Sequence, residues 1–356
     1  MKKDLPTVAQ LARAAGVSPA TVSRVLNHKG IVKADTYNRV VAVLQANGYP
    51  FVEKAGRADP SDVLMISLPS LDNPFYADIV RGAKSGATRH GYHLIINESH
   101  INHNTLPAIL ELVRSLRISG LITANHISAD ILHTLSSVVP LVQCCEYDES
   151  SDLPYVSVDD FAASKKATEY LLSQGCRRIA FLSGPSRYKY ARWRLRGYEE
   201  ALRTAGISPD QNLVVQFPEV SCELAIASTM QLLRTAEPPD AFVTTSDVYA
   251  AAVIRAARQV GLRVPQDVMV TGFDNIEFST VTTPSITTVD QPRIRLGLMA
   301  CELLVEKIAN PALPSKGVLL ETELIVREST SNSRAAAAAA PGGLPPPLFH
   351  SGPPPP

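Results

Sequence analysis

Pro19, Ala20, Thr21, Ser23, Arg24 and Asn27 carry the small apolar groups, hydroxyls, amide and guanidinium that read base edges. Their spacing turns them outward or to the helix end when Val22, Val25 and Leu26 of the same helix turn inward. That chemistry is reversible recognition, with no bond made or broken. Elsewhere no nucleophile, base and oxyanion set stands out, no glycine loop cradles phosphate, and no His or Cys cluster has metal spacing. No catalytic residue, metal site or cofactor is therefore expected, and His100 and His103 read as solvated loop side chains.

The elements that would position the reading face are legible residue by residue. Thr7 stands three before Gln10, the spacing of a capping box that satisfies the first amides of a helix. Val8, Leu11, Ala12 and Ala15 form that helix's inner stripe, and Gly16 supplies the backbone angles of a tight turn. Ser18 caps a second helix and Pro19 takes its first position, where a missing N–H costs nothing. Val40, Leu44 and Tyr49 mark a third helix behind the pair. The result is a helix-turn-helix, a unit whose second helix enters the major groove of double-stranded DNA.

Charge agrees with that placement. The 34 basic and 34 acidic residues cancel over 356 positions. Residues 1–60, however, hold nine Lys or Arg against four Asp or Glu, so this end is basic by five and the remainder acidic by five. No apolar run reaches the roughly 20 residues of a membrane span, and Met1–Pro6 lacks a signal-peptide core, so a cytoplasmic protein without membrane contact is expected. Five scattered cysteines, Cys144, Cys145, Cys176, Cys222 and Cys301, read as free thiols of a reducing compartment.

From Asp62 onward short apolar runs alternate with helical stretches, the pattern of parallel sheets covered by helices. Strands are expected at 63–68, 93–97, 120–123 and 140–143, with helices over 75–90, 105–116 and 129–135 between them. A second series follows. It has helices over 161–174, 194–205 and 248–260 and strands at 178–183, 241–244 and 268–272. Two such units leave a crevice at the carboxyl ends of their strands, where this architecture takes small ligands.

Val8–Ala12, Ala15–Ser18, Thr21–Asn27, Thr36, Arg39, Val40 and Gly48-Tyr49 together resemble the LacI/GalR family of bacterial transcription regulators, and the body matches almost to Thr330. Gly272–Ile276, Glu323–Arg327 and an atypical linker are similar to the cytidine repressor subgroup. The resemblance implies an all-α helix-turn-helix domain plus two doubly wound α/β subdomains of periplasmic-binding-protein type. It implies a homodimer, with a tetramer left open, on a roughly palindromic operator, controlled by a sugar- or nucleoside-like effector. DNA contacts are then expected from Thr7, Ser18, Pro19, Ala20, Thr21, Ser23, Arg24, Asn27, Lys33 and Thr36.

The same resemblance names effector residues. Phe75 and Tyr76 follow the first strand as stacking rings, Tyr188 and Tyr190 lie in the loop that enters the pocket in relatives, and Arg194 matches the effector-binding arginine. Asp274 matches the acceptor for ligand hydroxyls, Asp247 a pocket-lining position, and Asp159 a crossover residue near the ligand. Relatives often carry Asn at the next position, where this chain has Asp160, which adds a negative charge near the hinge. Alternatives are control by a protein partner, or a solute receptor, against which the N-terminal domain argues.

The expected domains are 1–50 for DNA, 51–61 as linker, 62–330 as the effector and dimerisation core, and 331–356 as a low-complexity disordered tail. Within the core, crossings near 159–161, 287–289 and 319–321 would make subdomain N about 62–160 with 289–320, and subdomain C about 161–288 with 321–330. Relatives place a leucine-bearing hinge helix in the linker. Here residues 50–61 hold no leucine and include Gly56 and Pro60, so a stable hinge helix is not expected.

Overall fold

The Thr7 side chain accepts the Gln10 amide at 3.4 Å while Gln10 Oε1 accepts the Thr7 amide at 2.8 Å, which closes the first turn of α1 (Val8–Ala15). Gly16 ends it in the left-handed region, with φ of 63°. Ser18 Oγ accepts the Thr21 amide at 3.2 Å and opens α2 (Pro19–Leu26); α3 (Ala34–Ala46) follows. Leu11, Ala12, Ala15, Val22, Val25, Val40, Val41 and Leu44 make one small core, with Val8, Leu26 and Tyr49 at its edge.

This is a computed structural model that describes residues 6–26, 34–47, 49, 62–312 and 314–331. They fall into two compact units, Met1–Asp59 and Pro60–Pro356. Asn27, Lys33, the linker with Gly56 and Pro60, and tail residues 332–356 lie outside the described residues.

The second unit opens with β1 (Val63–Leu68), α4 (Phe75–Arg89), β2 (His93–Glu98), α5 (Leu106–Ser115), β3 (Gly120–Thr123) and α6 (Ala129–Val138). Next come β4 (Leu141–Cys144), β5 (Tyr155–Val158), α7 (Asp160–Ser173), β6 (Ile179–Ser183), α8 (Lys189–Thr204), β7 (Val214–Gln216) and α9 (Cys222–Leu233). It ends with β8 (Ala241–Thr244), α10 (Asp247–Gln259), β9 (Met269–Asp274), α11 (Phe278–Val281), β10 (Thr287–Asp290), α12 (Arg293–Ala309), β11 (Gly317–Leu320) and β12 (Glu323–Ile325).

Two six-stranded sheets result, ordered β11-β5-β4-β3-β1-β2 and β12-β10-β9-β8-β6-β7, parallel except for β10 against β12. Alternation along each strand feeds both faces. In β1, Leu64, Ile66 and Leu68 meet α4 and α12, while Met65 meets α5 and α6. In β6, Ala180 and Leu182 meet α9 and α10, while Ile179 and Phe181 meet α7 and α8. Helix α12 reaches α4 through Gly82 and Gly297, since a Cβ on either would overlap a carbonyl of the facing helix, Ile294 and Ile79 respectively.

The chain moves between the sheets three times: between β5 and α7, between β10 and α12, and between β11 and β12. Strand order reverses between β1 and β3 in one sheet and between β6 and β8 in the other. Loops leaving these neighbouring strands part in opposite directions and open a crevice at the carboxyl ends.

Some boundaries differ from the sequence reading. Helix α8 begins at Lys189, five residues before the expected start at Arg194, and β5, β7, α9, α11, α12 and β10–β12 were not assigned from sequence.

Candidate functional site

Both reversal points face one cavity of about 440 Å³. Pro69–Tyr76 and Pro185–Tyr190 supply two of its walls, and Thr245, Ser246, Tyr249, Asp274 and Gln291 line it from the second sheet. Six of the eight expected effector residues come together here: Phe75, Tyr76, Tyr188, Tyr190, Arg194 and Asp274. The Tyr188 and Tyr190 rings stack at 5.6 Å, and Phe75 meets Tyr76 edge-on at 5.2 Å. These are flat apolar surfaces suited to a ring or a sugar face.

Arg194 is 5% exposed, so its charge must be matched internally. Its Nε donates to Asp160 Oδ1 at 2.8 Å and its Nη1 to the Thr245 carbonyl at 2.7 Å. Its guanidinium carbon lies 3.4 Å from the Phe273 ring centroid, and Nη1 stands 3.8 Å from Asp274 Oδ1. Nη2 makes no hydrogen bond among the described residues. Arg194 therefore has a locked plane and donor capacity left over.

Asp274 ends β9 with φ of 105°, a left-handed angle that costs on the order of 1–3 kcal/mol for a non-glycine residue. Surrounding bonds hold it. Its Oδ1 accepts Gln291 Nε2 at 2.7 Å, and its carbonyl accepts Arg293 Nη1. Burial raises its carboxyl to about 7, against the pull of Arg194, Gln291 and Arg293. Near neutral pH the group can accept or donate a hydrogen bond.

Asp159 and Asp247 lie outside the cavity. Asp159 is exposed and spends its side chain as the cap of α7, accepting the Ala162 amide at 2.9 Å. Asp247 is fully buried, where it accepts Thr288 Oγ1 at 2.6 Å and the Ile276 amide at 2.8 Å. Burial and neighbouring Asp274 push the Asp247 carboxyl well up, so it ties the α10 start to β10 and the loop after β9.

Asp160, rather than the crossover residue Asp159 expected near the ligand, reaches the cavity. It accepts Lys189 Nζ at 2.6 Å besides Arg194, and it lines the cavity. Burial pushes its carboxyl up, but the two cations outweigh burial and hold it below the usual range. Lys189, itself 2% exposed, also donates Nζ to Ser157 Oγ at 3.0 Å. Its amide and that of Tyr190 donate to Glu146 at 2.6 and 3.1 Å, so a carboxylate from the first sheet caps α8 of the second. Burial raises the Glu146 carboxyl.

Lys189, Glu146, Gln291 and Tyr249 were not singled out from sequence. The extra charge of Asp160 was the one signal that a buried cation had to exist. Tyr249 Oη is buried on the cavity wall without a hydrogen-bond partner among the described residues, and His100, read as solvated, is exposed but lines the same cavity.

On the N-terminal unit, Pro19, Ala20, Ser23 and Arg24 are exposed, and Thr21 and Thr36 half-buried. Thr7 and Ser18 are exposed and engaged in their caps, Ser18 also with Thr21 Oγ1 at 2.9 Å. Among the cysteines, all free, Cys144, Cys176 and Cys301 are buried; Cys145 and Cys222 are half-buried and line the cavity.

Residues 7–50 match the family described as bacterial regulatory proteins, lacI family, and residues 168–330 match the periplasmic binding protein-like domain. HTH-type transcriptional repressor CytR of Escherichia coli (strain K12) is 32% identical over 329 residues, spanning 91% of this chain and 96% of its own. The chain belongs to the LacI family. Another LacI-family relative, the ribose operon repressor of Halalkalibacterium halodurans, is 30% identical over 92% of this chain and 97% of its own. The solved complex of the transcriptional regulator CelR with cellobiose superposes with a TM-score of 0.70 at 28% identity, over 91% of this chain and 99% of that one. The lac repressor dimer bound to operator and the anti-inducer ONPF gives 0.70 at 25% identity, over the same 91% and 99%. The architecture expected from sequence, a helix-turn-helix domain plus two parallel-sheet α/β subdomains, is that of these LacI-family neighbours. No described helix is long and apolar enough to cross a membrane.

Proposed function

We propose that this LacI-family chain is a cytoplasmic, homodimeric transcriptional repressor. Its hold on a roughly palindromic operator is set by a sugar- or nucleoside-like effector in the cleft between the two sheets. In this reading residues 1–50 carry the DNA contacts, 62–330 the effector core with the discontinuous subdomains given above, and the chain regulates rather than catalyses. Arg24 and the exposed end of α2 meet the operator; Arg194 and Asp274 meet ligand hydroxyls while the tyrosines and Phe75 cover a ring.

One observation carries the reading. Arg194 and Asp274, both about 5% exposed and 3.8 Å apart, stand on the wall of a 440 Å³ cavity beside a stacked tyrosine pair. Buried polar groups with capacity to spare cost about 1–3 kcal/mol each when a ligand leaves them unmatched, which is how such a cleft selects. A ligand shifts operator affinity only through its differential affinity for two states.

The test uses the purified full chain. A site is selected from random duplexes, its affinity is followed by fluorescence anisotropy, and neutral sugars and nucleosides are then titrated in. The reading requires a selected site whose affinity falls with salt, and at least one ligand that moves its midpoint. A chain that selects no sequence overturns the DNA half; a selected site that no small molecule moves overturns the effector half.

A further inference from the structure

Resting on the cleft as the effector site, we infer that the effector carries no phosphate or carboxylate, and that Asp160 is the residue enforcing this. The cavity lining holds five carboxylates, Asp72, Glu146, Asp160, Glu219 and Asp274, against two guanidiniums, Arg187 and Arg194. An anion moved out of water needs matched cations and donors, because a buried charge without a partner is strongly disfavoured. The cations here are engaged. Arg194 is bound to Asp160 and the Thr245 carbonyl, with Asp274 close by. Lys189, behind the wall, is bound to Asp160 and Ser157. Arg293 is bound to Asp78 at 2.9 Å and to the Asp274 carbonyl. Arg187 is exposed, donates to the Pro218 carbonyl at 3.3 Å, and shares the rim with Glu219 and Asp72.

Helix N-termini are the other common seat for a phosphate. Five begin at this cavity, and each is already supplied with a protein oxygen. At α7 the Ala162 amide goes to Asp159 Oδ1 at 2.9 Å, and at α9 the Leu224 amide goes to Ser221 Oγ at 3.3 Å. At α8 the Lys189 and Tyr190 amides go to Glu146. At α4 the Phe75 amide goes to Asn73 Oδ1 at 3.1 Å, and Asp78 occupies the first turn. At α10 the Tyr249 amide goes to Ser246 Oγ at 3.3 Å, with Asp247 in the first turn. The groups still available are the spare Nη2 of Arg194, whose charge is already paired with Asp160, and groups that are neutral or able to become so: the Tyr249 hydroxyl, Gln291, the rings, and Asp274, whose carboxyl burial raises to about 7. They suit a free sugar or free nucleoside, whose hydroxyls and ring edges both donate and accept.

Asp160 is the hinge of the charge balance because, among the described residues, it is the one carboxylate paired with both Lys189 and Arg194. Asp160→Asn keeps the shape and removes one negative charge from between Lys189 and Arg194, which frees cationic charge for a phosphate ester.

Calorimetric titration of the full chain with matched pairs tests this: ribose and glucose with their phosphates, and uridine, cytidine and adenosine with their monophosphates. For each parent compound that binds, the phosphorylated partner is expected to bind at least about 100-fold more weakly. In Asp160→Asn that gap is expected to shrink at least about tenfold, with fold integrity checked by circular dichroism. A phosphate ester that binds as tightly as its parent overturns the inference while leaving the cleft as the effector site. An unchanged gap in a folded Asp160→Asn overturns the role of Asp160. Absence of binding by both members of every pair overturns the effector site itself, and this inference with it.

Discussion

Glu146 and Lys189 meet where the two sheets face each other: a carboxylate that follows β4 receives the first amide of α8 at 2.6 Å. The positive end of that helix is thereby matched by a charge from the other sheet. Lys189 returns the link through its side chain, which reaches Ser157 on β5 and Asp160 at the start of α7. Backbone and side chain of one residue thus fasten both sheets to the Arg194 site.

Lys189→Met should destabilise the chain by about 3 kcal/mol, because it leaves a buried carboxylate short of one cation. Combining it with Asp160→Asn should recover part of that loss, since the unmatched charge goes with it. Urea denaturation of the two single variants and the double variant gives the coupling. Additive losses would mean that the pair is not energetically linked.

The alternation of strands and helices was readable because strands buried on both faces are continuous apolar runs, as in Val63–Leu68 and Ile179–Ser183. The start of α8 was not, for a physical reason: Tyr188, its N-cap, makes no side-chain cap, and the matching oxygen comes from Glu146, 43 residues earlier. Helix α12 was missed too. Gly297 in its middle disfavours a helix locally, yet the close approach to α4 requires it. The Asp159-Asp160 pair shows a similar limit. Either residue could have faced the ligand, and only the helix start decides that Asp159 caps and Asp160 turns inward. The helix-turn-helix was the most legible part because its signals, Thr7 with Gln10, Gly16 and Ser18 with Pro19, are all local.

Asp274 imposes a pH dependence whose sign is fixed. Its carboxyl ionises near 3.8 when unfolded and near about 7 when folded, owing first to burial. Between these values the folded chain holds a proton that the unfolded chain has released. The contribution is therefore full below about pH 4 and lost as pH rises through about 7. Glu146 and Asp247, also raised by burial, act in the same sense. In Asp274→Asn the fall in melting temperature between about pH 5 and pH 8 should be shallower than in the parent chain. Parallel curves would contradict the assignment.

Gly16→Ala isolates a backbone cost, since a Cβ there would meet nothing within 4 Å while φ is 63°. A loss of about 1–2 kcal/mol is expected, confined to the N-terminal unit, with Gly16→Asn losing less. Hydrogen exchange of the α1 and α2 amides, read beside those of α4 as an internal reference, would check it.

Arg24 is exposed in the last turn of α2, on the same outward side as the exposed Ala20 and Ser23. Of the exposed side chains on that helix it alone carries a charge, so the neighbouring small groups can only supply contact and shape. Arg24→Ala should weaken operator binding by about 1–3 kcal/mol without altering the melting of either unit. The salt series then tells what Arg24 touches. Loss of a phosphate contact lowers the slope of log affinity against log salt by roughly 0.9, whereas loss of a base contact leaves the slope and relaxes preference at one position of the site. Operator affinity that is the same with and without the guanidinium would remove Arg24, and the outward face of α2 with it, from the DNA interface.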